Sequence, residues 1–283
     1  MIVMRSIPIE IPSTQHLGLP DMVDKIANHE RGLILVTGVT GSGKSSTMAA
    51  MINWINQNKQ VHIVTLESPI EFLHRDNKSS ITQRDIGTDT ESFVSGLRAV
   101  LRQDPDVILI GEMRDKTTIE TALKAAETGH LVVSTLHTKN AVQTISRIIS
   151  VFTAEEQEMI RIRLAESLQV VISQRLVRKK TGGRVAAMAI MPVTGTMRDC
   201  IRDPARLDEI FDLIAEGKDH YGSQTFDQHL MELVRDDIVT FELAKLAANN
   251  QADFDLKMNM FTDPAGSGGQ TSTQDDMTQM FGG

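Results

Sequence analysis

Gly38-Val39-Thr40-Gly41-Ser42-Gly43-Lys44-Ser45 is the stretch that decides the fold. Its spacing, G-x-x-x-x-G-K-S, is that of a phosphate-binding loop. Both flanks fit. Upstream, Gly32-Leu33-Ile34-Leu35-Val36 is short, apolar and branched, which predicts a buried strand. Downstream, Met48, Met51, Ile52 and Ile55 fall at helical spacing. A strand, a glycine-rich turn and a helix N-terminus make an anion cradle, because free backbone N–H groups and the positive helix end point at phosphate oxygens. Lys44 offers a point charge to the β- and γ-phosphates, and Ser45 a hydroxyl to Mg2+. The expected nucleotide-binding residues are therefore Gly38, Thr40, Gly41, Ser42, Gly43, Lys44, Ser45 and Ser46, with ATP and Mg2+ as ligands.

Working outward, strands alternate with helices. Val61–Leu66 is a second strand, broken by Pro69, with Glu67 and Glu71 at its end. Ser79–Arg84 reads as a short edge strand. Thr90-Glu91-Ser92-Phe93 opens a helix through Leu97 and Leu101. Asp106–Ile110 is a buried strand ending at Glu112, and a helix follows from Thr117 to Glu127. His130–His137 is a fourth buried strand with a histidine at each end, then Ala141–Val151 is helical. This alternation predicts an α/β fold with a mainly parallel sheet and right-handed crossovers. Ligands of such sheets sit at the carboxyl ends of the strands. The phosphate loop, Glu67, Glu71, Glu112 and His137 all fall at such ends and are expected to converge on one nucleotide; His130 does not.

Thr153-Ala154-Glu155-Glu156 is a capping box, and the spacing after it predicts a long helix running through Leu168 and Val171 towards Leu176. Arg175, Arg178, Lys179 and Lys180 would then cluster near its end, compensating the helix dipole or meeting an acidic partner. Val185–Met191 is a strand ended by Pro192. From Thr196 the pattern is helical, over 203–217, 225–234 and 241–248. The expected division is a linker over 1–20, a core over 21–195, a helical region over 196–261, and a polar tail over 262–283 too poor in apolar residues to order itself.

Composition narrows the function. A net charge of −8 argues against a nonspecific nucleic-acid binder, whose affinity would rest on Lys and Arg, so no nucleic-acid partner is expected. The single cysteine, Cys200, allows neither an internal disulfide nor a four-cysteine zinc site and points to a reducing cytoplasm. Aromatics make up only 4% of the chain, so aliphatics and 15 methionines must fill the core.

Hydrolysis of ATP needs a metal-linked acid, a carboxylate that orients water, and positive charge for the transition state. Glu112, ending an apolar strand, suits the first task. Glu71 suits the second, with Glu67 as an alternative. His137 is placed to sense the γ-phosphate, whereas His130 belongs at an interface or in a loop. Arg84, Arg98, Arg102 and Arg114 are candidate fingers or interface charges, and spacing does not choose among them.

Taken together and in order, the Gly38–Ser45 loop, Thr65–Glu71, Asp104–Asp115 (D-P-D-V-I-L-I-G-E-M-R-D) and Thr128–Thr138 resemble the Walker A, Asp-box, Walker B and His-box motifs of the secretion-superfamily ATPases. The resemblance is strongest to the PilT/PilU pilus retraction motors and covers about residues 5–260. It implies a RecA-like P-loop core, with Glu71 as the catalytic acid of the Asp box, Glu112 as the Walker B acid, and His130 and His137 as the His-box pair. It further implies hexameric rings of this chain or a paralogue, docked on the pilus platform protein at the inner face of the cytoplasmic membrane. Some residues depart from the family pattern. Ser68 stands where the family usually has Asp, and Thr196–Ile201 replaces A-I-R-N-L-I with its Arg kept as Arg198. Gln224–Asp227 is closer to the PilU branch. Of the family's N-terminal PAS-like domain only the exit, Arg5–Pro8, is recognisable, so the expectation is a shortened reading or a short paralogue lacking that source of arginines.

Overall fold

Branched apolar runs build the sheet, and their alternation divides the core into two faces. The computed structural model describes residues 7, 8 and 10–262. The strands are β1 Gly32–Thr37, β2 His62–Glu67, β3 Ser80–Asp85, β4 Val107–Ile110, β5 Leu131–Leu136, β6 Leu168–Arg178 and β7 Arg184–Pro192. They form one sheet in the order β3-β2-β4-β5-β1-β6-β7. Every pairing is parallel except β6–β7, as a mainly parallel α/β fold requires. All residues of β1, β4 and β5 are buried, because helices cover both faces.

The helices are α1 Met22–Ala27, α2 Lys44–Asn58, α3 Phe93–Val100, α4 Lys116–Glu127, α5 Ala141–Ile149 and α6 Ala154–Ser167. Then come α7 Gly195–Arg202, α8 Ile210–Glu216, α9 Lys218–Tyr221, α10 Phe226–Arg235, α11 Phe241–Ala247 and α12 Gln251–Thr262. Side chains cap several of their starts. Asp115 accepts the Thr118 N–H at 2.9 Å and Asn140 accepts that of Gln143 at 2.8 Å. At α6 the expected capping box forms, Glu156 accepting the Thr153 backbone N–H at 3.0 Å.

Strand periodicity sends Ile34 and Val36 to one face, against α1 and α2, and Leu33 and Leu35 to the other, against α3–α8. Helices α10–α12 gather a separate apolar cluster over the outer halves of β6 and β7. Within the stretch read as linker, residues 14–18 turn rather than extend. The Leu19 N–H closes on the Thr14 carbonyl at 3.0 Å, and Leu19 is buried against the α1–α2 side. The tail expected from 262 lies, from 263 on, outside the described residues.

One expected element is wrong. The helix predicted to run to Leu176 ends at Ser167, and 168–178 is strand β6, parallel to β1 and antiparallel to β7. Val170-Val171-Ile172 is a branched run that loses side-chain freedom in a helix and packs well in a sheet. Its alternation is hidden because the pairing steps from Leu33–Leu168 to Ile34–Val170, leaving Gln169 as a bulge. Leu168 and Val170 thereby reach opposite faces despite equal parity.

The basic cluster consequently does not lie at the end of α6 and cannot compensate that helix's dipole; instead Arg175 reaches the last carbonyl of α11. Arg175 stacks on the Phe226 ring at 4.1 Å and donates to the Ala247 carbonyl at 2.8 Å, tying β6 to the C-terminal helices. Arg178 faces Arg184 across the hairpin, and Lys180 pairs with Asp237.

Burial ranks these positions. Ile172 is fully buried beside the phosphate loop's strand, so Ile172→Ala is expected to cost about 2–4 kcal/mol in urea unfolding. Arg178→Ala, at the exposed end of the hairpin, is expected to cost less than about 0.5 kcal/mol.

Candidate nucleotide-binding site

The loop between β1 and α2 takes its shape from its glycines. Gly38 has φ 148° and Gly43 has φ 91°, both in the left-handed region that side chains avoid. A Cβ on Gly38 would also lie 2.5 Å from the Gln174 carbonyl oxygen and from Ser42 Oγ. Helix α2 starts at Lys44 with Gly43 as its N-cap, so no side chain caps it, and its first turn holds no acid. The amides there are left for an anion, and the helix end keeps its positive potential.

Lys44 lies over this loop, with Nζ donating to Gly38 O at 2.9 Å and Val39 O at 3.1 Å. Burial lowers its pKa, while the charges of Glu112 and then Glu71 oppose that fall. Both carboxylates are therefore electrostatic neighbours of the ammonium. A cavity of about 500 Å3 opens beside it. It is lined by Thr40, Gly41, Gly43, Lys44, Ser45 and Ser46 from the loop and by Glu67, Ser68, Glu71, Glu112, Arg114 and His137 from neighbouring strand tips. A larger cavity, about 840 Å3, lies between β6, β7, the start of α5 and helices α8, α10 and α12 and is mainly apolar; it contains none of the loop residues.

Hydrogen bonds hold the strand tips together. Gly111 N–H donates to Leu66 O at 2.8 Å, Met113 N–H to Thr135 O at 3.2 Å, and Thr135 Oγ1 to Gly111 O at 2.7 Å. These contacts lock the ends of β2, β4 and β5 beside one another. Glu112 Oε2 lies 2.7 Å from Arg114 Nε and 3.4 Å from His137 Nε2. Glu67 accepts from Thr65 Oγ1 at 2.7 Å and also from the Glu71 backbone N–H. Burial nonetheless pushes the Glu67 pKa up, against those hydrogen bonds.

Not every candidate lines the cavity. Gly38 and Ser42 support the loop from below. The Gly38 carbonyl takes the Lys44 ammonium, and that of Ser42 takes Gln174 Nε2 at 2.7 Å. His130 sits at the other end of β5, its Nδ1 3.0 Å from Ala125 O. Arg84 lies on β3 opposite Leu66, outside the cavity lining. Two residues at the site went unread in the sequence. Gln174 braces the loop from β6, and only the correct strand assignment could have found it. His74 lines the cavity with a buried Nδ1 that has no hydrogen-bond partner, and burial pushes its pKa down to about 4.

A strand, a glycine loop with unfilled amides, a lysine and facing carboxylates define a P-loop nucleotide-binding α/β protein. The comparisons make this specific. Residues 2–216 match the family described as Type II/IV secretion system protein. A twitching motility protein of Neisseria gonorrhoeae is 49% identical over 88% of this chain and 66% of its own length. The type IV pilus retraction ATPase PilT of Pseudomonas aeruginosa is 46% identical over 89% of this chain and 73% of its own. The crystal structure of the pilus retraction motor PilT with bound ADP superposes with a TM-score of 0.82 at 47% identity, covering 89% of this chain and 71% of that one. The chain belongs to the Type II/IV secretion ATPase family, on its PilT-like side, and spans about two thirds of the length of these relatives.

The depressed His74 pKa has a stability consequence. Its folded value, about 4, lies below the ordinary 6.5, so the neutral ring stabilises the fold above pH 6.5 and that contribution is lost as pH falls towards 4. Between pH 7.5 and 5 the protein should lose about 2 kcal/mol through this group. Urea unfolding of His74→Phe over the same range should show a correspondingly smaller loss.

Proposed function

We propose that this chain is an ATP-hydrolysing subunit of a type IV pilus retraction motor. The observation that carries the reading is the convergence of Lys44, Glu71 and Glu112 on one cavity at the carboxyl ends of the strands. The amides of the loop bind the nucleotide phosphates and Lys44 neutralises the charge on the transferred group. Glu71 orients the attacking water and takes its proton. Mg2+ supplies further charge neutralisation when bound, and the hard oxygen donors of Ser45 and Glu112 fit it. His137, 3.4 Å from Glu112, reads whether a γ-phosphate is present by way of that carboxylate. Arg114, held on Glu112 and largely exposed, is the cation best placed to turn towards the nucleotide.

The subunits work as a hexameric ring, of this chain or with a full-length paralogue, and turn the platform protein at the inner face of the cytoplasmic membrane. Among the described residues no helix is long and apolar enough to cross a membrane. A second reading, an accessory subunit with weak turnover, is favoured by Ser68, which lines the cavity where the family usually carries a carboxylate.

Phosphate release on mixing with ATP, for the chain alone and with a full-length paralogue, separates the two readings. A motor turns over in its own assembly, whereas an accessory subunit adds to the paralogue's rate only marginally. In the assembly of this chain alone, Glu71→Gln should leave ADP affinity within about threefold while turnover falls roughly 10^2–10^3-fold. Lys44→Ala should weaken ADP binding itself. Wild-type turnover in Glu71→Gln would remove that residue from the chemistry.

A further inference from the structure

The segment that carries Glu71 connects β2 to the edge strand β3 and contains no helix or strand of its own. Such a segment holds a side chain in register only where something pins it. Two side chains of β3 do so next to Glu71: Asp85 accepts the Ile70 N–H at 3.4 Å, a long contact on the side before Glu71, and Gln83 makes the shorter bonds on the side after it. Gln83, on β3, donates through Nε2 to the Phe72 carbonyl at 2.9 Å and to Glu67 Oε1 at 3.2 Å, while its Oε1 accepts the His74 N–H at 2.8 Å. Phe72 directly follows Glu71, and Glu67 is the carboxylate that accepts the Glu71 backbone N–H. One amide thus fixes the main chain just beyond Glu71 at two points, and also fixes the group that holds the Glu71 N–H.

Only an amide does all three tasks, since a carboxylate has no donor when ionised and a thioether offers neither role reliably. The amide is also neutral, so it adds no charge beside Glu67 and Glu71. The far part of the same segment is held independently. Asn56, on α2, donates to the Arg75 carbonyl at 2.8 Å and accepts the Asn77 N–H at 3.0 Å. Gln83 is therefore not needed to keep the whole segment folded. Its bonds are concentrated where Glu71 is aimed.

We propose that Gln83 is the positioning residue for Glu71, clamping the Glu67–His74 segment so that the Glu71 carboxylate faces the phosphate end of the cavity. This rests on Glu71 being the hydrolytic carboxylate. Displacing a reacting group by about 1 Å costs on the order of 10^2 in rate, so loss of the clamp acts on turnover and spares binding.

The test is steady-state ATP hydrolysis by the full chain, in the assembly that supports turnover, with Gln83→Met, Gln83→Glu, Glu71→Gln and the Gln83→Met/Glu71→Gln double variant. Expected results are a fall in kcat of roughly 10–100-fold for both Gln83 variants, with KM and ADP affinity within about threefold. In the Glu71→Gln background Gln83→Met should add less than about twofold, because residues acting as one unit are not additive. Should Gln83→Met not fold, Gln83→Asn, which stays neutral but is one methylene too short to keep all three bonds, carries the same comparison. The proposal is overturned alone if Glu71→Gln is inactive while the Gln83 variants keep wild-type kcat, or if their defect persists undiminished in the double variant. A fully active Glu71→Gln overturns the reading of Glu71 and this proposal with it.

Discussion

The structure depends on a set of backbone amides left unsatisfied at the start of α2. A helix end normally finds a side-chain cap; here Gly43 provides none, and the first turn carries no acid to quench its potential. That arrangement favours glycine at Gly38 and Gly43, because both hold a positive φ and, at Gly38, the closeness of β6 leaves no room for a side chain. It also requires a rigid base. β1 is buried along its whole length between β5 and β6, and Gln174 ties β6 back to the loop through the Ser42 carbonyl.

The parallel sheet then supplies the chemistry. Since β1, β2, β4 and β5 all point the same way, their carboxyl ends form one rim, and Lys44, Glu67, Glu112 and His137 meet there. The carboxylates near Lys44 are held rather than loose: Glu112 by Arg114 and His137, Glu67 by Thr65, and the Glu71 backbone by Glu67. A buried ammonium between acids is well suited to an anionic ligand, which would exchange the lysine's contacts with the loop carbonyls for phosphate oxygens.

Much of this was readable from residue order, because the signals were local. The loop has a fixed spacing, and β1, β4 and β5 are uninterrupted apolar runs. Glu67, Glu112 and His137 could be placed on the rim from strand direction alone. What failed depended on long-range pairing. The bulge at Gln169 exists only because β6 pairs with β1, so periodicity across 168–176 mimicked a helix and concealed Gln174. Gln83 and Asn56 carry no local signal of their roles, which arise only where the fold brings them against the Glu71 segment. The basic residues after Arg175 were visible, but their meaning changed once they lay on a hairpin.

The most direct measurement of the central claim is amide hydrogen exchange with and without ADP. Slowed exchange is expected at the backbone amides of Gly41 to Ser46, with little change elsewhere on α2. Unchanged exchange at those amides, with protection instead around the apolar cavity bounded by Phe211 and Phe226, would contradict it.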